Sequence, residues 1–101
     1  RQALSATRDF INHAHIGNCV IGDPGHPDYG DLHPYFGHPD GENNVPEVRE
    51  FLRGLLDIGY LREDAPDRGI VAFEVQPRNG QRTGAVVADA KRVLREAWRT
   101  L

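Results

Sequence analysis

The sequence predicts an α/β fold in which two parallel strands alternate with two helices. Two mostly apolar runs, FINHAHIGNCVI at residues 10–21 and IVAFEVQP at residues 70–77, have the composition of buried strands. Each run precedes an amphipathic helical pattern, and continuous apolar strands separated by helices favour parallel pairing with right-handed crossovers. Two such units can neither close a sheet nor cover both of its faces, so we expect the fold to be larger than this chain.

The first strand and the loop after it can be placed from local composition. Residues 1–7 have the pattern of a frayed helix end, and residues 9–17 are predicted to form the first strand, ended by Gly17 and Asn18. From about Cys19 to Asn44 the chain carries four of its seven prolines together with five glycines, which disfavours regular structure. Loops of this length inside a compact domain are usually functional or disordered.

Capping signals delimit the first long helix. Asn44 is a favourable N-cap residue, Glu47 stands three residues later in the capping-box position, and Pro46 falls in the first turn. Apolar residues then recur at the i, i+3, i+4, i+7 spacing of an amphipathic helix. Gly59 is placed to end this helix close to Ile58.

The second half of the chain repeats the pattern. Residues 69–76 are predicted to form the second strand, which Pro77 stops. After the turn RNGQRTG, apolar residues from Ala85 onward mark a second amphipathic helix that runs to the C-terminus.

Composition limits the class of protein. A net charge of −3 and a pI near 5.9 argue against a dedicated nucleic-acid-binding protein. The sequence has no apolar run of membrane-spanning length and no signal-peptide pattern, so we expect no membrane partner and a cytoplasmic location. The single cysteine, Cys19, excludes an intramolecular disulfide and fits a reducing compartment.

The chain contains no methionine, so residue 1 is not a translation start. We therefore expect residues 1–101 to be the C-terminal part of a longer protein. A processed or tag-cleaved small protein is the alternative.

Candidate chemistry is concentrated in the strands and the long loop. Glu74 is costly to bury unless it is paired or bound to a metal; the alternatives are a salt-bridged or an exposed strand residue. His13 and His15 point to the same face of the first strand, which favours a metal or substrate site. All five histidines lie between residues 13 and 38. The three in the loop are predicted first to be solvated surface residues.

His33, between Asp31 and Pro34, is the loop histidine most favoured as functional, and Glu42 either faces the site or is a solvated turn residue. No G-x-G-x-x-G, G-K-[ST] or G-x-S-x-G motif indicates a nucleotide site or a serine hydrolase. A Cys–His nucleophile pair at Cys19 is weakly supported, because its geometry cannot be derived from sequence.

Four segments together resemble the last quarter of the xylose-isomerase-like sugar isomerases and epimerases: HAHIGNCV, GDLHPYFGHPDGENN, EFLRGLLDIGYL and IVAFEVQPRNGQ. This superfamily consists of (β/α)8 TIM barrels, and the resemblance extends from about Phe10 to the C-terminus. It implies that the chain is the β-α-β-α portion holding the seventh and eighth strands with their helices, within a single barrel domain that residues 1–101 do not complete.

The resemblance also implies a reaction. His15 matches a strand-seven ligand of one divalent metal ion (Mn, Co, Mg or Zn), and Glu74 matches a strand-eight ligand that is also an acid/base catalyst. Proton transfer through an enediolate would isomerise or epimerise a small-molecule sugar or sugar phosphate. His13, His33 and Glu42 are the predicted substrate-binding residues.

The remaining ligands and the second catalytic glutamate would lie upstream of Arg1, so the chain alone is expected to be inactive. The parent protein could be a homo-oligomer. Ile21 and Gln76 depart from the family pattern, where Arg and Lys are frequent, so substrate contacts there do not transfer. Alternatives are a polyol dehydratase or endonuclease-type member of the same superfamily, or a non-catalytic His-rich metal-binding module.

Overall fold

The computed structural model describes residues 1–64 and 69–101. In chain order its elements are α1 (Gln2–Thr7), a 3-10 turn (Arg8–Phe10), β1 (Ala14–Gly17), α2 (Val45–Asp57), β2 (Val71–Glu74) and α3 (Thr83–Arg99). The two strands pair in parallel, in a register that runs from Ala14 opposite Val71 to Gly17 opposite Glu74. The predicted order of strand, helix, strand and helix is therefore confirmed, as is the parallel pairing.

Both strands are shorter than predicted. The first strand was expected over residues 9–17, but Arg8–Phe10 forms a 3-10 turn and pairing begins only at Ala14. Phe10 is 86% exposed, so its apolar side chain did not indicate burial. The second strand occupies four residues rather than residues 69–76. A strand extends only as far as its partner offers hydrogen bonds, and this pair has four positions in register.

The predicted ends of α2 are confirmed. The backbone N–H of Asn44 donates to the Glu47 carboxylate at 3.0 Å, and the two residues form a capping box. At the other end Gly59 adopts a φ of +83°, the left-handed conformation that glycine reaches without steric cost. The sequence signals for this helix act locally, and each predicted capping residue has its predicted role in the structure.

The core lies between the sheet and the two long helices. Side chains of α2 and α3 pack there with Ile16 of β1. The long loop adds Phe36, which is 1% exposed and meets the ring of Phe73 edge-on at a centroid distance of 6.0 Å. The loop is therefore part of the packed structure. Within the part of the chain that is described, no helix is long and apolar enough to cross a membrane.

Asn18 fastens the long loop to the end of β1. Its side-chain amide is buried and donates to the carbonyl of Tyr35 at 3.0 Å. Its side-chain oxygen accepts the backbone N–H groups of Cys19, at 2.9 Å, and of Asn43, at 2.8 Å. Asn43 in turn donates its side-chain amide to the carbonyl of Gly17 at 2.9 Å. These bonds bring both ends of the loop back to β1.

We predict that Asn18→Ala destabilises the chain by about 1–3 kcal/mol, because it leaves the N–H groups of Cys19 and Asn43 and a carbonyl without partners. Urea unfolding gives the change in free energy. The exposed Asn12→Ala is the matched control and is expected to change stability by less than about 0.5 kcal/mol. Equal stabilities for the two variants would contradict the role given to Asn18.

Candidate functional site

His15, the second residue of β1, contacts Glu74, the last residue of β2. His15 Nδ1 lies 3.2 Å from Glu74 Oε2, although the two residues are 59 positions apart in sequence. The parallel register explains this approach. His15 is opposite Ala72 and Gly17 is opposite Glu74, so the side chains of His15 and Glu74 lie on the same face, diagonally across the two strands. Both side chains are 49% exposed.

Of the alternatives left open for Glu74, the structure shows a half-exposed carboxylate paired with His15. Side chains alternate across a strand, and Val71 and Phe73 pack against the core. Ala72 and Glu74 must therefore face the other side of the sheet. The same alternation in β1 buries Ile16 and exposes His15. The carboxylate consequently lies on the open face of the sheet.

His13 adjoins this pair from the residues before β1. Its Nε2 lies 2.7 Å from Nε2 of His15, and the two rings meet edge-on with a centroid distance of 4.6 Å. Such a contact holds one proton, so one ring donates and the other accepts. The prediction that these two histidines share a face is confirmed.

His33 reaches the cluster of His13, His15 and Glu74 from the long loop. Its Nε2 lies 3.1 Å from Asp31 Oδ1 and 3.9 Å from Glu74 Oε1, and its side chain is 19% exposed. The backbone of His33 has a φ of +48°, a left-handed conformation that is uncommon outside glycine. Its carbonyl accepts the backbone N–H of Gln76 at 2.8 Å, just beyond β2. Strained residues of this kind cluster at functional sites.

Gly17 makes room for His33. A Cβ atom at this position would lie 2.9 Å from His33 Nδ1 and 3.0 Å from the carbonyl oxygen of Glu74. Any side chain would therefore push the imidazole away from β2. From the sequence Gly17 is predicted only to end the strand, and no local pattern indicates this close approach.

Glu42 is not brought into the cluster. The residue is exposed, and its backbone N–H donates to the carbonyl of Cys19 at 2.9 Å. Within residues 1–64 and 69–101, no hydrogen bond or ion pair joins its carboxylate to His15, His33 or Glu74. The predicted role of Glu42 in binding substrate therefore has no geometric support.

His26 and His38 are not the solvated loop residues that the sequence suggested. Their side chains are 21% and 11% exposed, and each contacts a carboxylate at 3.1 Å: His26 meets Asp40, and His38 meets Asp28. The buried Asp28 also accepts from Arg78 Nε at 2.7 Å. Hydrogen bonds from Arg78 first, and then from His38, hold the pKa of the Asp28 carboxyl below its ordinary value.

The His15–Glu74 pair has the spacing of two ligands of one cation. Donor atoms that each lie about 2.1 Å from a metal are roughly 3 to 3.4 Å apart at the usual coordination angles. The observed 3.2 Å falls in this range, and imidazole and carboxylate are both common ligands. Among the described residues, no group of three or more His, Cys, Asp or Glu side chains could hold a metal ion. The chain therefore supplies two fitting donors and not a complete site.

We predict that Gly17→Ala displaces the His33 imidazole from Glu74, because the new methyl group overlaps the ring, and that it lowers stability by about 1–3 kcal/mol. The ring ¹⁵N resonances of His33 report the displacement. Gly22→Ala is the control, since a Cβ at that position meets no atom within 4 Å. Identical His33 resonances in the Gly17 variant and the wild type would contradict the close approach.

Comparisons of the chain with profiles of known protein families, with curated proteins and with solved structures found no match.

Proposed function

We propose that this chain is the C-terminal part of a divalent-metal-dependent isomerase or epimerase that acts on a sugar or sugar phosphate. The observation that carries the proposal is the contact of His15 with Glu74, the residue at the carboxyl end of the parallel strand β2. Barrel enzymes place their chemistry at this end of the strands. The resemblance to xylose-isomerase-like enzymes assigns the same two residues to a metal and to proton transfer.

In this proposal Glu74 is the proton-transfer residue. Its carboxylate is half-exposed on the open face of the sheet, where a substrate can reach it. It takes a proton from the carbon next to the sugar carbonyl, which leaves an enediolate. In an isomerase the proton returns to the neighbouring carbon, and in an epimerase the second acid/base delivers a proton to the opposite face of the same carbon. When bound, the divalent metal supplies charge stabilisation for the developing oxyanion.

The surrounding histidines are assigned to the metal and to the substrate. His15 is the proposed metal ligand and contacts the Glu74 carboxylate, and His13 contacts His15 and is the proposed substrate-binding residue. His33 lies 3.9 Å from the other carboxylate oxygen, at the edge of the same open face. Its imidazole is within reach of a sugar hydroxyl bound next to Glu74, which is the role that we propose for it.

The open sheet supports the view that the functional protein is larger. Within the described residues, β1 and β2 pair only with each other, and the core covers one face of the sheet. Parallel sheets are normally covered on both faces and continue beyond two strands. We propose that further strands of a (β/α)8 barrel complete the sheet, and that they supply the missing metal ligands and the second acid/base.

We predict that Glu74→Gln and His15→Ala each abolish sugar isomerase or epimerase turnover in the parent protein. Gln keeps the shape of the side chain but cannot take up the proton, and Ala removes a metal ligand. Steady-state turnover with a panel of aldoses, ketoses and their phosphates measures the loss. Glu63→Gln, an exposed position, is the matched control. Wild-type-like rates in either site variant would refute the assignment.

A second prediction concerns metal binding by the 101-residue chain. Two donors should bind Mn²⁺ only weakly, and paramagnetic broadening at millimolar metal should centre on His15 and Glu74. His15→Ala should remove it. Broadening centred on His26 and His38, or a sharp melting transition that metal raises strongly, would instead favour a self-sufficient metal-binding module.

A further inference from the structure

The long loop contains the tripeptide His-Pro-Asp twice, at residues 26–28 and 38–40, and the two copies are joined crosswise. His26 Nε2 lies 3.1 Å from Asp40 Oδ2, and His38 Nε2 lies 3.1 Å from Asp28 Oδ2. Each histidine therefore contacts the aspartate of the other copy. We call this arrangement the crossed clasp.

Backbone hydrogen bonds determine which ring nitrogen carries the proton in the crossed clasp. The N–H of Asp28 donates to Nδ1 of His26 at 2.9 Å, and the N–H of Asp40 donates to Nδ1 of His38 at 3.0 Å. Both Nδ1 atoms are acceptors, so each ring carries its proton on Nε2 and donates it to a carboxylate. The rings are also in edge-on contact, with centroids 5.5 Å apart.

The two halves of the clasp differ in what lies beyond them. The Asp28 side chain is 6% exposed and accepts from Arg78 Nε at 2.7 Å, which ties the loop to the segment after β2. The Asp40 side chain is 60% exposed, and within the described residues its carboxylate contacts only His26 of the same loop. Of the two carboxylates, Asp28 is therefore the one that connects the clasp to the segment after β2.

His33 stands between the two tripeptides and beside this connection. Its carbonyl accepts the N–H of Gln76, two residues before Arg78. The loop thus meets the segment after β2 at two adjacent points, Asp28–Arg78 and His33–Gln76. A left-handed His33 costs conformational energy and persists only where neighbouring contacts hold it.

We propose that Asp28 and Arg78 are positioning residues that hold His33 beside Glu74. The clasp fixes the shape of the loop, and the ion pair to Arg78 sets where that loop lies against β2. The catalytic meaning of this placement rests on the proposed function. The placement itself does not, because it can be measured on the chain without metal or substrate.

The test compares Asp28→Asn with Asp40→Asn, since each removes one carboxylate from the same crossed clasp and only the first also releases Arg78. Amide hydrogen exchange at Gln76 reports whether its bond to the His33 carbonyl is formed. Asp28→Asn should accelerate this exchange at least about tenfold and shift the ring ¹⁵N resonances of His33, whereas Asp40→Asn should change neither.

Core amides such as those of Leu55 and Val93 show whether an effect is local. Their exchange should stay within about twofold of the wild type in Asp28→Asn. If that variant does not fold, Arg78→Gln carries the same expectation at a position that is 26% exposed. Unchanged Gln76 exchange in both Asp28→Asn and Arg78→Gln would overturn the proposal. An acceleration in Asp40→Asn equal to that in Asp28→Asn would overturn it as well. A failure of metal binding or turnover alone would count against the proposed function and leave this placement intact.

Discussion

The buried amide of Asn18 is the interaction on which the candidate site depends. It is placed at the first residue after β1, and it satisfies a carbonyl and two N–H groups from widely separated parts of the loop. Because a buried amide is costly unless all of its hydrogen bonds are made, the loop conformations compatible with it are few. Together with the crossed clasp and the buried Phe36, this side chain gives a segment rich in proline and glycine a defined conformation.

Strand alternation then separates the core from the chemistry. In β1 the buried Ile16 follows the exposed His15, and in β2 Phe73 precedes Glu74. Parallel register aligns these two patterns, so the polar side chains of both strands share one face. The cluster results from the same two-residue alternation of side chains that builds the core. A one-residue slip in the strand register would exchange the two faces.

The sequence predicted what is decided locally. Helix α2 could be bounded because its cap at Asn44 and its stop at Gly59 act within one turn of the chain. The strand limits could not be found from local composition, since they depend on a partner strand about 57 residues away. The sequence predicts solvated His26 and His38, whereas the structure places each beside the aspartate of the other His-Pro-Asp tripeptide.

The exposure of the His15–Glu74 pair bears on the proposal that the functional protein is larger than this chain. Charges near bulk water interact weakly, and catalytic electrostatics depend on excluding solvent from the reacting groups. At 49% exposure each, these two side chains lack such a covering on the side of the sheet opposite the core. Under the proposed function, a further layer over that face would raise the local field and supply additional ligands. One addition would thus meet both needs, which is the physical reason to propose that turnover belongs to a longer chain.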